Sequence, residues 1–213
     1  MSLPSPTYVA LDALDAYANH YRFGAGGPRV VYFGGAVTRA VYEQRRHTAP
    51  TVVAEAFAAA RQTRGVRDVD LVVCPCPIAS ADDETWVGEH HAALSDRIGR
   101  DVPLATVGYS AGARFALLLA ILEGARGAAC FGGAGVGVTL AELEPVLRAR
   151  TTPLHLLHLT NAGDPLGLGG PPRSVGVSVT SARGPGQHPF VDYASNGLVA
   201  RAFEHALAHG ASI

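Results

Sequence analysis

Short apolar runs alternate along this chain with longer segments of helical character. The apolar runs, rich in valine and leucine, predict strands at residues 29–33, 69–74, 102–107, 128–131, 154–160 and 175–180. The longer segments predict helices at residues 9–21, 51–64, 83–100, 111–124, 140–150 and 198–209. This alternation predicts an α/β fold class: a three-layer, doubly wound and mostly parallel sheet of about six strands, with helices on both faces.

Length and charge narrow the class of protein. The 213 residues, of which 48% are hydrophobic, fit a single domain over residues 1–213 with a full core. The 17 basic and 18 acidic residues leave no basic surplus of the kind that binds nucleic acid or an anionic membrane. The first residues show no secretory signal, and no apolar run approaches the ~20 residues that span a bilayer. We therefore expect a soluble protein with neither a nucleic-acid nor a membrane partner.

The cysteines indicate a reducing environment. Three cysteines are too few for a disulfide framework, which favours the cytoplasm. Cys74 and Cys76 are too close in sequence for an ordinary bridge. They could instead begin a metal or redox site with His90 or His91, but no second cysteine pair at metal spacing follows. We therefore expect small buried thiols here, and neither a metal nor an organic cofactor.

A candidate nucleophile lies in the run Gly108-Tyr109-Ser110-Ala111-Gly112, between a predicted strand and a predicted helix. A G-x-S-x-G sequence in this context is typical of a nucleophile elbow. The glycines permit a sharp turn that lifts the Ser110 hydroxyl clear of the sheet. The same turn directs the Ala111 N–H at the position where an oxyanion would form. The alternative is an ordinary turn that contains a serine.

Two further residues complete a possible catalytic set. A serine hydroxyl needs a base, and a histidine base needs a carboxylate to orient it. Asp164 follows the predicted strand at 154–160 and His188 follows the one at 175–180, so both are expected at the same sheet edge as Ser110. The alternatives are that Asp164 is only a turn residue and His188 only a loop histidine. Asp192, the competing carboxylate, is too near His188 along the chain to reach behind its ring.

In its nucleophile elbow and in the order Ser110, Asp164, His188, the chain resembles the α/β-hydrolase fold superfamily. The resemblance covers essentially the whole chain and is strongest to compact enzymes similar to dienelactone hydrolase. It implies six parallel strands in the order 4-3-5-6-7-8 of that family's numbering. It also implies that Ser110 is the nucleophile, that His188 is the general base and acid, and that Asp164 orients the imidazole.

The same resemblance places an oxyanion loop after the first predicted strand. Gly34 and Gly35 stand where relatives commonly carry His-Gly, and the implied backbone donors are Ala36 and Ala111, with Gly35 beside them. The chain also departs from the family at its front end, which is short. We expect it to leave little room for the family's first antiparallel strands.

Access to the site is expected to be open. Between the predicted strands that end at residue 131 and begin at residue 154, the sequence holds one glycine-rich turn and one helix, so we expect no lid domain. Without a lid, Ser110 is expected in a shallow cleft that favours short acyl groups. The candidate walls of this cleft, for substrate binding or merely for core packing, are Tyr42, Trp86, Tyr109 and Phe190.

These features together predict a serine hydrolase that cleaves a small ester or thioester through an acyl-enzyme intermediate. An acyltransferase and a hydrolase-like scaffold that only binds a ligand are open alternatives. The glycine-rich run at 132–137 suggests a nucleotide site, but its spacing misses G-x-G-x-x-G and the ribose-binding acid is lacking. The physiological substrate and the oligomeric state stay open. It also stays open whether Arg45, Arg46 and His47 contact the substrate or form a solvated turn.

Overall fold

A computed structural model describes residues 3–5, 7–11, 16–37, 41, 44–45, 48–77, 104–133, 135–167 and 173–210. For residues 7–11, 16–17, 37 and 75–77 the description covers the backbone alone. The predicted helix at residues 83–100 lies outside the described residues. So do six of the candidate residues, which are Tyr42, Arg46, His47, Trp86, His90 and His91.

The described strands form one eight-stranded sheet in the order β1-β2-β4-β3-β5-β6-β7-β8. Their bounds are β1 Thr7–Leu11, β2 Ala16–Phe23, β3 Arg29–Val37, β4 Val69–Pro77, β5 Leu104–Tyr109, β6 Gly127–Phe131, β7 Leu154–Asn161 and β8 Val177–Gly184. The six strands from β3 to β8 are parallel, whereas β1 and β2 pair antiparallel at one side. The predicted α/β fold class is confirmed, and the parallel strands follow the order that the resemblance implies.

The front end of the chain is where the prediction is wrong. Residues 9–21 were expected to form a helix with little room for antiparallel strands, but β1 and β2 form a hairpin that pairs with β4. The apolar residues of β2 alternate: Tyr21 and Phe23 are buried on one face, and Arg22 between them is exposed. This period of two, and the backbone groups that β4 offers for pairing, override the helical pattern.

Six helices are described. Their bounds are α1 Ala49–Arg64, α2 Gly112–Leu122, α3 Val136–Glu142, α4 Glu144–Ala149, α5 Phe190–Ser195 and α6 Leu198–His209. The helix expected at 140–150 starts earlier and is split into α3 and α4, because Pro145 has no N–H to continue the helical ladder. The sequence pattern did not predict α5. The helix α6 has the predicted bounds.

Helices cover both faces of the sheet. One face packs against α1 and α6, through side chains such as Phe57 and Phe203. The other packs against α2, α3 and α4, and nine residues of α2 are buried. Leu140 and Leu147 bury α3 and α4 against this face, so the described segment between β6 and β7 is a crossover with no lid domain. The site is therefore expected at the carboxyl ends of the parallel strands.

Candidate active site

Ser110 lies at the tight turn between β5 and α2. Its φ is 54°, the only positive value among the described residues other than glycine, which is the strain expected of a nucleophile elbow. A Cβ on Gly108 would overlap the backbone of Gly112, and one on Gly112 would overlap the carbonyl oxygens of Gly34 and Phe33. Both glycines of the motif are therefore required by close backbone contacts.

The structure brings Ser110, His188 and Asp164 together in one row. The Ser110 Oγ lies 3.0 Å from the Nε2 of His188, and the His188 Nδ1 lies 2.9 Å from the Oδ2 of Asp164. Ser110 follows β5, Asp164 follows β7, and His188 follows β8, so the three groups meet at the carboxyl edge of the sheet. The imidazole is thus in contact with a hydroxyl on one side and a carboxylate on the other.

Asp164 is fully buried and has two further donors. The Tyr193 hydroxyl donates to its Oδ2 at 2.6 Å, and the Leu166 N–H donates to its Oδ1 at 2.8 Å. Burial by itself raises the pKa of Asp164, but the hydrogen bonds from Tyr193, His188 and Leu166 outweigh it and hold the pKa below its usual 3.8. The carboxylate therefore stays ionised at neutral pH.

The loop that carries His188 is fixed by amide side chains. The Asn161 Nδ2 donates to the Gln187 carbonyl oxygen at 2.8 Å, and the Asn196 Nδ2 donates to both the Asn161 Oδ1 and the Pro185 carbonyl oxygen. Asp192, the competing carboxylate, accepts a hydrogen bond from the Gln187 N–H at 2.7 Å. Its contact is therefore with the loop backbone and not with the imidazole.

Tyr109 supports the same histidine. Its ring stacks on the His188 ring with centroids 5.4 Å apart, and its hydroxyl donates to the His188 carbonyl oxygen at 2.6 Å. Burial, with the nearby Asp164 and Asp192, raises the pKa of Tyr109 to about 12, so the phenol stays a donor. Predicted only as a wall of the cleft, Tyr109 lines the cavity and also holds the imidazole in place.

The candidate oxyanion donors lie around Ser110. A Cβ on Gly35 would lie 3.0 Å from the Tyr109 ring and 3.2 Å from the Ser110 Cβ, so the backbone near the end of β3 is packed against the turn at Ser110. Ala36 is exposed and lines the cavity. Ala111 is the N-cap of α2, and no described residue accepts a hydrogen bond from its N–H. An oxyanion requires backbone donors close to the nucleophile, and the backbone of Gly35 lies close to Ser110.

A cavity of about 660 Å³ adjoins Ser110 and His188. Its described lining is mainly apolar and comes from β2, β3 and β4, the start of α1, the turn at Ser110, and the loop from His188 to Phe190. The lining includes the buried residues Tyr32 and Val73, and α1 forms one wall. Arg45 is also in the lining, where it is exposed.

Sequence reasoning missed Tyr193 and Asn161. The ring of Tyr193 is fully buried, and its hydroxyl accepts a hydrogen bond from the Asn161 N–H while it donates to Asp164. A buried tyrosine needs a partner for its hydroxyl, so a tyrosine five residues after His188 was a usable signal. The Asn161 contacts carried no such signal, because they depend on how two distant loops pack.

The cysteines and the helices bear on metal binding and membrane association. Among the described residues, no group of three histidine, cysteine or acidic side chains is placed to hold a metal ion. Cys74 and Cys130 are buried, and the Cys76 side chain lies outside the description. No helix in the described part of the chain is long and apolar enough to cross a membrane.

Comparisons with known proteins identify the fold. No protein-family model matches the chain, and no curated protein matches it. Among solved structures, the dienelactone hydrolase of Anabaena variabilis is similar at a TM-score of 0.59 and 17% identity, over 96% of this chain and 99% of that one. An S-formylglutathione hydrolase from Agrobacterium tumefaciens is similar at a TM-score of 0.56 and 13% identity, over 97% of this chain and 100% of that one.

A third similar structure is an esterase from Pyrobaculum calidifontis, with a TM-score of 0.56 and 16% identity over 95% of this chain and 86% of that one. The similarity of these three structures to this chain is one of fold. Since the matches extend over nearly the whole length of the sequence, the chain has the α/β-hydrolase fold.

Proposed function

We propose that this protein is a serine hydrolase that cleaves a small ester or thioester. The observation that carries the proposal is the row of contacts from the Ser110 Oγ to the His188 Nε2, at 3.0 Å, and from the His188 Nδ1 to the buried Asp164, at 2.9 Å. A hydroxyl, an imidazole and a carboxylate in this order form the set that activates a serine for acyl transfer. We take residues 1–213 to act as one domain.

In the first half of the reaction, Ser110 attacks the carbonyl carbon of the substrate and its proton passes to the His188 Nε2. Asp164 accepts the Nδ1–H and stabilises the imidazolium that forms. The negative oxygen of the tetrahedral intermediate accepts hydrogen bonds from the N–H groups of Ala36 and Ala111. The bond to the leaving group then breaks, His188 gives its proton to the leaving oxygen or sulfur, and the acyl group stays on Ser110.

In the second half, water replaces the leaving group. His188 takes a proton from this water as its oxygen attacks the acyl-enzyme, and the same two N–H groups hold the new oxyanion. The Ser110–acyl bond breaks, Ser110 regains its proton from His188, and the carboxylic acid leaves. An acceptor alcohol in place of water would make the protein an acyltransferase, which uses the same residues.

The substrate class is inferred from the cavity and from the similar structures. The mainly apolar cavity of about 660 Å³ is of a size that encloses a small molecule. The names of the similar structures include an esterase, a dienelactone hydrolase and an S-formylglutathione hydrolase. We extend only the common class, ester or thioester cleavage, to this chain. Three cysteines are too few for a disulfide framework, which favours the cytoplasm as its location.

The test is hydrolysis of 4-nitrophenyl acetate and of an acetyl thioester, with Ser110→Ala as the decisive variant. We expect the variant to lose about 10⁴-fold or more in kcat, because the three groups act as one unit. Ser178→Ala, an exposed serine on β8, is the matched control and should keep the wild-type rate. A fluorophosphonate probe should label the wild type and not Ser110→Ala. An unlabelled wild type without activity would instead indicate a scaffold that only binds a ligand.

A further inference from the structure

The floor of the cavity is a row of three residues on neighbouring strands. Val73 on β4 is opposite Asn19 on β2 and opposite Tyr32 on β3. Residues opposite one another in a sheet share a face, so the three side chains lie side by side on the face that α1 covers. All three line the cavity, and Tyr32 and Val73 belong to the core cluster on this face.

The two polar members of this row have no side-chain hydrogen bond in the described part of the chain. Asn19 and Tyr32 are each only 3% exposed, and neither side chain has a hydrogen-bond partner among the residues that the structure describes. Buried polar side chains are nearly always hydrogen-bonded, because an unpaired group loses its contacts with water. The hydroxyls of Tyr109 and Tyr193 follow this rule, each with a partner at 2.6 Å. Asn19 and Tyr32 therefore present hydrogen-bonding groups to whatever occupies the cavity.

We propose that Asn19 and Tyr32 form a subsite for a neutral, oxygen-bearing group at the far end of the substrate's acyl chain. This inference rests on the proposed function. The class of substrate is thus an ester or thioester whose acyl part ends in a carbonyl or hydroxyl group, several bonds from the reacting carbonyl. Tyr32 donates to this oxygen, and Asn19 can both donate and accept.

The order of the strands assigns this subsite to the acyl part. Ser110 follows β5, the floor row lies on β3, β4 and β2 to one side, and His188 follows β8 on the other side. His188 must protonate the leaving group, so the leaving group lies on its side of Ser110. The acyl chain then extends the opposite way, toward the floor row, past the apolar residues Pro50 and Val53 of α1.

The subsite favours a neutral group over a carboxylate. Burial raises the pKa of Tyr32, so its phenol stays protonated and uncharged. A carboxylate on this floor would be desolvated with no cation in the row, which is costly. Arg45, the cation in the described lining, is exposed, so its pairing with an anion is screened by water. The floor therefore selects a keto or hydroxyl group.

The test compares two esters of nearly equal shape, 4-nitrophenyl 6-oxoheptanoate and 4-nitrophenyl 6-methylheptanoate. We expect the wild type to favour the keto ester about tenfold in kcat/KM, because the methyl analogue leaves the floor groups unpaired. Tyr32→Phe and Asn19→Leu should each bring this ratio toward one. Tyr21→Phe, which removes a buried phenol on the same face outside the described lining, is the matched control and should keep the ratio.

Three outcomes would overturn the subsite. They are equal kcat/KM values for the two esters, a ratio that Tyr32→Phe leaves unchanged, and a preference for the 4-nitrophenyl monoester of adipic acid that Arg45→Gln removes. If Asn19→Leu does not fold, Tyr32→Phe alone decides. If the proposed function holds, Ser110→Ala loses activity on both esters whichever of these outcomes occurs. Failure of the subsite proposal can therefore be told apart from failure of the hydrolase proposal.

Discussion

Ser110 and the Asp164–His188 pair are in hydrogen-bond contact, yet the chain holds them in place by different means. Backbone features hold the Ser110 half of the site: a φ of 54°, two glycines without room for a Cβ, and a hydrogen bond from the Ser110 N–H to the Phe131 carbonyl oxygen. Side chains hold the other half, which consists of Asp164 and His188. There the hydroxyl of Tyr193 and the amides of Asn161 and Asn196 fix the carboxylate and the loop of the histidine.

The difference determines what each half tolerates. A backbone turn with no space for a Cβ admits only glycine, so any substitution there produces a clash. A side-chain network loses one hydrogen bond at a time and keeps its packing, so its variants lose graded amounts of stability or rate. We therefore expect large effects from substitutions in the Ser110 half, and smaller, graded effects from substitutions of the residues that support Asp164.

The largest effect is expected where the two halves meet, at the carboxylate itself. Asp164→Asn keeps the shape of the side chain but removes the charge that orients the imidazole and stabilises its protonated form. The amide also favours the wrong tautomer of His188. We expect kcat for 4-nitrophenyl acetate to fall about 10⁴-fold, while the melting temperature shows that the variant is folded.

Asp192→Asn is the matched control for this change. Asp192 is the other carboxylate near His188, but it accepts its hydrogen bond from the Gln187 N–H and not from the ring. It should lose less than about tenfold in kcat, since only one support of the loop is weakened. If Asp192→Asn were the more damaged variant, Asp164 would not be the carboxylate that serves His188.

Gly112→Ala is expected to give the next largest effect, through packing. The added Cβ overlaps the carbonyl oxygens of Phe33 and Gly34 on β3, and Gly34 lines the cavity. Because both contacts are backbone atoms, β3 and α2 must separate. We expect the free energy of unfolding in urea to fall by about 3 kcal/mol, together with a loss of esterase activity in the folded protein.

Gly65→Ala separates this clash from backbone strain. Gly65 has a φ of 67°, but nothing lies within 4 Å of its Cβ position. Its substitution therefore costs only the strain of a left-handed residue, about 1 kcal/mol. Equal losses in the two variants would mean that the backbone contacts of Gly112 are not what fixes the nucleophile turn.

The same contrast explains what the sequence revealed of the site. The turn at Ser110 is recognisable as a sequence motif, because its backbone requires glycine at residues 108 and 112. Asp164 and His188 were placed by the strands that precede them, since parallel strands end at one edge. The support from Asn161 has no sequence motif, because many combinations of side chains can stabilise a loop. It becomes visible only when β7 and the His188 loop are packed together.

The fold shows a similar division. Each of the six predicted strands lies within a parallel strand of the sheet or overlaps one, because short runs rich in valine and leucine between turn residues favour strands. The front end was misread because its apolar residues fit a helix as well as an alternating strand. That error had a consequence for the site: only with β2 beside β4 does Asn19 reach the cavity. The contribution of β2 to the cavity could not be foreseen from a helical front end.

The smallest effect is expected for Tyr193→Phe, which removes one support of Asp164 and leaves the ring. The Asp164 Oδ2 loses a donor at 2.6 Å, and the Asn161 N–H loses its acceptor. We expect the free energy of unfolding at pH 7 to fall by about 2 kcal/mol. Tyr32→Phe is the control, because its hydroxyl has no hydrogen-bond partner among the described residues.

The loss in Tyr193→Phe should depend on pH. The pKa of Asp164 lies below its usual 3.8 in the folded protein. Its ionised form therefore stabilises the fold above about pH 4, and this contribution is lost as the pH falls through the lower, folded pKa. Tyr193 supplies part of that stabilisation, so the difference between variant and wild type should be full at pH 7 and smaller at pH 3. Urea unfolding at both pH values measures it. A difference of equal size at both values would mean that Tyr193 acts through packing and not through the charge of Asp164.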